Sequence, residues 1–362
     1  MLLDEREWIW AISFPIALAF LFIGCTHFET KPGPLPTLES SATPIPSAPS
    51  PTPSPLPTPT SIPPLRPLEI KPLEIKPLWR YPADEVVWDL AAGDIDGDGE
   101  SELVAGSQDK NVYLLTSGGD LLWRYAARAA VYTVALADLE GDGQGEVVAG
   151  SDDNDIYALS SDGRLLWRYT MGSRVTEVVA QDLDGDGSQE VLAGSWDGYL
   201  YLLGGDGELR WRRALGGGAT DIRVADLQSD GRGEIIVASE EGEVIAFASG
   251  GEHLWSYEAG GYIREIDVYD FEGQKKIVVG SSEGVLYLLS SDGQLLWRRD
   301  MGSSIPTLGI TSIEGWPQIF FGSGYHDSQI SLLENDGQKR WAFATGSGVW
   351  PWIFFSSTAR RL

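Results

Sequence analysis

Through residues 86–343 the chain alternates short apolar runs with turns rich in Gly and Asp, and nothing in that stretch keeps a helical period. One block shows the pattern whole. Residues 175–180 form a first β-rich run and 182–190 an acidic loop. A second run ends in Ala193-Gly194-Ser195, and Trp196-Asp197-Gly198 turns into a third at 199–203. Gly205-Asp206-Gly207 then turns into a last run at 209–212. The last two turns carry Asp-Gly at hairpin distance, so the block predicts four short antiparallel strands.

The block recurs in register. Trp79, Trp123, Trp167, Trp211, Trp255, Trp297 and Trp341 follow one another at steps of 44, 44, 44, 44, 42 and 44 residues. Four strands per unit, repeated at this period, predict an all-β protein, a β-propeller of ~44-residue blades. Six units are complete. A further first strand begins at 348–354 and a lone last strand lies at 78–81, so the expected ring has six complete blades and an incomplete seventh closed by the chain ends. Residues 68–71 are a candidate for one missing strand. Each in-phase Trp falls on the last strand of its unit, where burying the ring between blades is its expected role.

Two resemblances meet in this unit. Residues 157–167 (YALSSDGRLLW) and 287–297 look like the tryptophan-docking repeat of pyrroloquinoline-quinone-type propellers, with a turn one residue tighter. The front half, Asp-x-Asp-x-Asp-Gly-x-x-Glu leading into a Val/Leu-Ala-Gly-Ser strand, is similar to the FG-GAP/VCBS repeats of bacterial surface proteins and integrin α-chains. The first resemblance implies a propeller fold. It does not extend to the quinone: with Cys25 as the one cysteine, the vicinal disulfide of quinoprotein alcohol dehydrogenases is impossible, and no pyrroloquinoline quinone is expected.

The acidic loops carry the candidate chemistry. Copy one offers Asp94, Asp96, Asp98 and Glu102, copy two Asp138, Glu140, Asp142 and Glu146, and copy three Asp182, Asp184, Asp186 and Glu190. Carboxylates at positions 1, 3, 5 and 9 surround one point, with the backbone carbonyl of position 7 (Glu100, Gln144, Ser188) as a further ligand. Oxygen-only ligation of this kind suits Ca²⁺, and an acid at position 9 rather than 12 excludes an EF-hand. About three structural calcium sites are expected. Copy four keeps Asp226, Asp230 and Glu234 and is weaker. Copy five, with Lys275 and Lys276 where acids should stand, and copy six, with Glu314 alone, should bind nothing.

The ends of the chain add a setting. Residues 8–24 form an apolar run without charge, closed by Gly24-Cys25. This resembles the lipobox of bacterial lipoproteins, in which Cys25 becomes the lipidated N-terminus. A membrane anchor and a plain secretion signal are the other readings of residues 1–25. Residues 26–77 are rich in Pro, Ser and Thr and read as a disordered stalk, leaving 78–362 for the propeller. An extracytoplasmic, surface-anchored protein follows. A formal net charge of −27 argues against nucleic acid and against membrane contact other than through the anchor.

His27, His253 and His326 have no metal-ligand spacing, and no catalytic constellation stands out. The sequence therefore reads as a monomeric, non-enzymatic binding or adhesion module for an extracellular protein or glycan. Trp196, Tyr262, Trp316 and Tyr325 depart from the repeat and are candidate ligand contacts. The alternatives are an envelope scaffold similar to the lipid-anchored propeller of the outer-membrane barrel-assembly machinery, or a polysaccharide lyase or hydrolase.

Overall fold

The computed structural model describes residues 8–12, 20–23, 77–313, 316–324, 329–344 and 353–354. Cys25, the proline-rich stalk, Glu314 and Tyr325 lie outside the described residues. No helix among the described residues is long and apolar enough to cross a membrane.

Six four-stranded antiparallel sheets, each of consecutive strands, form the blades. Blade three runs Val175–Gln181, Glu190–Ser195, Tyr199–Leu203 and Leu209–Ala214 from the innermost strand to the outermost. The innermost strands of the other blades are Val87–Gly93, Val131–Ala137, Ala219–Ala225, Ile263–Phe271 and Thr307–Ile313. Neighbouring innermost strands touch in series from blade one to blade six.

A seventh four-stranded sheet has the order Ile353–Phe354, Phe20–Ile23, Trp8–Ile12, Pro77–Pro82. It brings the two chain ends into one sheet as expected, but with four strands rather than an incomplete set; the candidate strand at 68–71 lies outside the described residues, and the end strand Ile353–Phe354 spans only two residues. The strands between come from the apolar N-terminal run. A stretch that reads as a leader by its lack of charge can equally supply β-strands, because an unbroken apolar run does not by itself distinguish the two.

Burial explains the unequal patterns along each blade. The second and third strands are sandwiched between two blades and are buried almost throughout, which is why they read as unbroken apolar runs. The outermost strands alternate between half-buried and exposed residues. The core is a series of inter-blade layers: Ile95, Val104, Val112 and Leu114 of blade one pack against Val131, Val134, Val147 and Leu159 of blade two.

The tryptophans dock between blades. Indole N–H groups of Trp79, Trp123, Trp167, Trp255 and Trp297 donate to the backbone oxygens of Ser117, Ser161, Gly205, Ser291 and Asn335, at 2.7–3.0 Å, in the last turn of the following blade. Trp211 is the exception: Arg213 reaches the Gly251 carbonyl in its place at 2.6 Å. Beneath each ring lies a left-handed glycine. A Cβ on Gly207 (φ 76°) would stand 2.5 Å from Trp167.

Gly207→Ala should therefore add backbone strain to a clash and cost about 2–4 kcal/mol. Gly216→Ala (φ 81°, nothing within 4 Å of a Cβ) should cost only the strain, about 1–2 kcal/mol. Urea unfolding of the two variants checks the difference; equal losses would remove the docking contact as its cause.

Candidate functional site

Each blade has two ends. One carries the acidic loops between first and second strands, together with the last turns. The other, the mouth end, carries the turns between second and third strands and the links between blades.

At the first end, the loops of copies one and three converge. Oxygen atoms of Asp94, Asp96 and Glu102, and of Asp182, Asp184 and Glu190, lie within 4.8 Å of one another in each trio. The turn that gathers them is built by Asp94, whose carboxylate accepts the N–H groups of Gly97 (2.8 Å) and Gly99 (2.9 Å), both left-handed. Glu102 is buried and held through one oxygen by the Ile95 N–H at 3.1 Å, leaving the other free. Asp182 and Glu190 repeat these bonds. Asp98 and Asp186 cap the N–H groups of Glu100 and Ser188. Burial, then the neighbouring carboxylates, raise Glu102 and Glu190 above the usual range. This donor set of hard, crowded oxygens fits a calcium-sized cation.

Copy two is looser. Asp138, Asp142 and Glu146 keep the turn, but Glu140 stands at position 3, the turn bond to Asp138 comes from the Asp142 N–H, and no trio converges. Burial pushes Glu146 up to about 7. Between copies two and three a cleft of about 490 Å³ is lined by Glu140, Asp186, Glu190, Asp206 and Arg210.

Copy four satisfies itself: the Gln228 amide donates to Glu234 Oε1 at 3.1 Å, while Asp226 holds the Asp230 and Gly231 N–H groups. In copy five a tight turn brings the Lys275 ammonium 3.5 Å from Asp270, so a side-chain cation stands beside the acid. These differences were legible as Gln228, Lys275 and Lys276.

A second group of polar residues, four acids and a threonine, escaped sequence reasoning. Asp89, Thr133, Glu177, Asp221 and Glu265 stand one repeat apart on the innermost strands. An inner strand is a sheet edge with unpaired N–H groups, and these side chains close it from the preceding blade. Asp89 accepts from Val134 N–H (2.8 Å), Thr133 from Val178 (3.2 Å), Asp221 from Ile266 (2.7 Å) and Glu265 from Leu308 (2.8 Å). Asp267 adds a cap on Ile310 (3.0 Å). Glu177 makes no hydrogen bond among the described residues.

Arg223 is the cation of this ring, bonded to Asp221 and 3.9 Å from Glu265. Burial is the main cause that raises Asp89, Glu177, Asp221, Glu265 and Asp267, and Glu265 is pushed up to about 8. Glu265 keeps 24% of its side chain open, so water tempers the effect. The signal for this ring was a polar residue in one fixed column of otherwise apolar strands.

The aromatic candidates separate. Trp196 lies at the mouth end, 46% exposed, with the Arg174 guanidinium 3.8 Å over its ring. Tyr262 is at the same end, under Arg264 at 5.4 Å. Trp316, 57% exposed, stands at the acidic-loop end against Phe271.

The family model for the λ-carrageenase β-propeller domain matches residues 74–166, 170–216 and 205–263, together more than half of the chain. No curated protein matches it. Similar solved structures include the computationally designed Ika8 protein, at 17% identity over 76% of this chain and 80% of that one, with a TM-score of 0.60. Sqt1 of Saccharomyces cerevisiae gives 13%, 73%, 76% and 0.60 for the same quantities. BBS1N, in complex with ARL6DN, gives 14%, 72%, 83% and 0.57. At these identities the likeness is one of fold.

Proposed function

Because the chain belongs to the λ-carrageenase β-propeller domain family, we propose that it is a calcium-stabilised, extracytoplasmic propeller that binds polysaccharide without cleaving it. Family membership carries the polysaccharide. The two converging oxygen trios support the calcium, with Asp94, Asp96 and Glu102 and with Asp182, Asp184 and Glu190 as its ligands. The ion would neutralise crowded carboxylates and pin the loop between first and second strands; no chemical step is assigned to it.

The non-enzymatic part rests on how the acids are employed. Glycoside hydrolysis needs a pair of carboxylates flanking a substrate. Here the loop acids other than Glu140 hold backbone N–H groups, and the inner-strand acids other than Glu177 cap strand edges.

The family's name favours one second reading, a polysaccharide-cleaving propeller. Retardation of the protein in a native gel cast with λ-carrageenan, in millimolar calcium, tests binding, and a reducing-end assay on the same mixture tests cleavage. Retardation without new reducing ends is expected. New reducing ends would make the protein an enzyme; migration unaffected by λ-carrageenan or by its desulfated form would remove the polysaccharide reading.

A further inference from the structure

The mouth end of the channel carries a strip that repeat logic does not require. In blades one to five the innermost strand has a β-bulge near its start: the register passes from Val87 to Asp89, from Val131 to Thr133, from Val175 to Glu177, from Ala219 to Asp221 and from Ile263 to Glu265. The residues left unpaired are Trp88, Tyr132, Thr176, Thr220 and Arg264. A bulge re-aims its side chain out of the pleat, and in blades one and two the re-aimed side chain is aromatic.

These aromatics do not stop at a single contact. Trp88 packs on Tyr132 with ring centroids 5.3 Å apart. Arg174, from the link into blade three, lies 5.3 Å over Tyr132 and 3.8 Å over Trp196. Trp88, Tyr132, Arg174 and Trp196 thus form one continuous chain of ring contacts across three blades. Trp88 remains 43% exposed and Trp196 46% exposed. Core packing would hide them, and the five docked tryptophans already supply inter-blade contacts.

Beside Trp196 the floor is bare. A Cβ on Gly218 would lie 3.3 Å from the Trp196 ring, and the Gly218 N–H donates to Glu240 at 3.1 Å, placing an acceptor next to the ring. No carboxylate is bonded to Arg174 or Arg264 among the described residues, although the chain has 53 Asp and Glu against 26 Lys and Arg. A guanidinium stacked on a ring keeps its N–H edge free for oxygen ligands.

We propose that this strip is the polysaccharide-binding surface, with Trp88 and Trp196 as stacking platforms for sugar rings and Arg174 as the hydrogen-bond donor between them. The inference rests on the polysaccharide reading above and assigns its place. The axial C–H bonds of a pyranose face carry partial positive charge and meet the negative face of an aromatic ring. The guanidinium fork binds the oxygens of ring substituents, most strongly when they are anionic. Exposed rings held by bulges and by each other are ordered before the ligand arrives, which lowers the entropic cost of binding.

The test is gel retardation of the full chain by λ-carrageenan and by its desulfated form, with Trp316→Ala as an exposed aromatic control at the other end of the ring. Trp88→Ala and Trp196→Ala should each weaken retardation about tenfold on both polysaccharides, with melting temperatures lowered by only a few degrees because nearly half of each side chain is exposed. Arg174→Gln should weaken binding to the sulfated form more than to the desulfated one. Trp316→Ala should bind as the wild type does. Retardation that persists unchanged in Trp88→Ala and Trp196→Ala would overturn the strip while leaving polysaccharide binding intact. A wild type that neither polysaccharide retards would remove both.

Discussion

In excess chelator the protein should melt on the order of 10 °C below its melting temperature in millimolar calcium. A ligand bound only to the folded state stabilises it by about 2.7 kcal/mol when its concentration is one hundred times its dissociation constant. Two such sites give about 5 kcal/mol, and a chain of this size shifts by roughly 2–4 °C per kcal/mol. The sites responsible are the two trios, Asp94, Asp96 and Glu102 and Asp182, Asp184 and Glu190.

Asp96→Ala and Asp184→Ala should each remove about half of the calcium shift, and the double variant nearly all of it. Both aspartates are exposed at position 3 of their loops, outside the buried anchor, so the variants should remain folded. Asp230→Ala in copy four should leave the shift whole, because Gln228 already occupies Glu234 there. Identical melting in chelator and in calcium would make all the loops self-sufficient turns.

The second large effect is expected at the channel. Arg223→Met removes the guanidinium that faces Asp221, Glu265, Asp267, Glu177 and Asp89. Breaking a buried ion pair by deleting one partner costs about 3 kcal/mol or more. The cost should depend on pH with a definite sign. These carboxylates have folded-state values raised above their unfolded ones, with Glu265 at about 8. A folded state that holds extra protons is favoured at low pH, and its advantage disappears as pH rises through the folded value.

In chelator, therefore, wild-type stability should decline between about pH 4.5, the ordinary glutamate value, and pH 8. The Arg223→Met loss should be largest near pH 8 and shrink toward pH 5.5, where the acids take up protons in place of the missing cation. Denaturant unfolding at the two pH values measures this. A loss independent of pH would assign Arg223 to packing alone.

How far the sequence carried depended on whether a feature is local. The docking tryptophans, the Asp-Gly turns and the acidic loops are each encoded within a dozen neighbouring residues, and the structure places them where the pattern required. The substitution of Lys275 for a loop acid could likewise be read directly. The channel acids could not, because a single polar residue in an apolar strand carries no sign of the axis it faces; only alignment of five repeats reveals the column at 89, 133, 177, 221 and 265. Trp88 and Tyr132 were hidden for a related reason. Their column continues as Thr176, Thr220 and Arg264, so it does not look like a conserved face, and the bulge that turns it outward is a property of strand register. The apolar run at 8–23 was ambiguous in principle, since an uncharged apolar sequence suits a leader and a strand alike.

Two of the four strands in the seventh sheet, Trp8–Ile12 and Phe20–Ile23, lie upstream of Cys25. The same residues cannot both depart with a leader and remain in the ring. Cleavage before Cys25 would leave Ile353–Phe354 and Pro77–Pro82 three strand spacings apart, roughly 14 Å, with the edges of two vacated positions between them. Precursor and processed chain would then differ in topology, one with a four-stranded seventh sheet and the other without its two middle strands. The N-terminal residue of the protein isolated from its own cell would reveal which of the two is the working form.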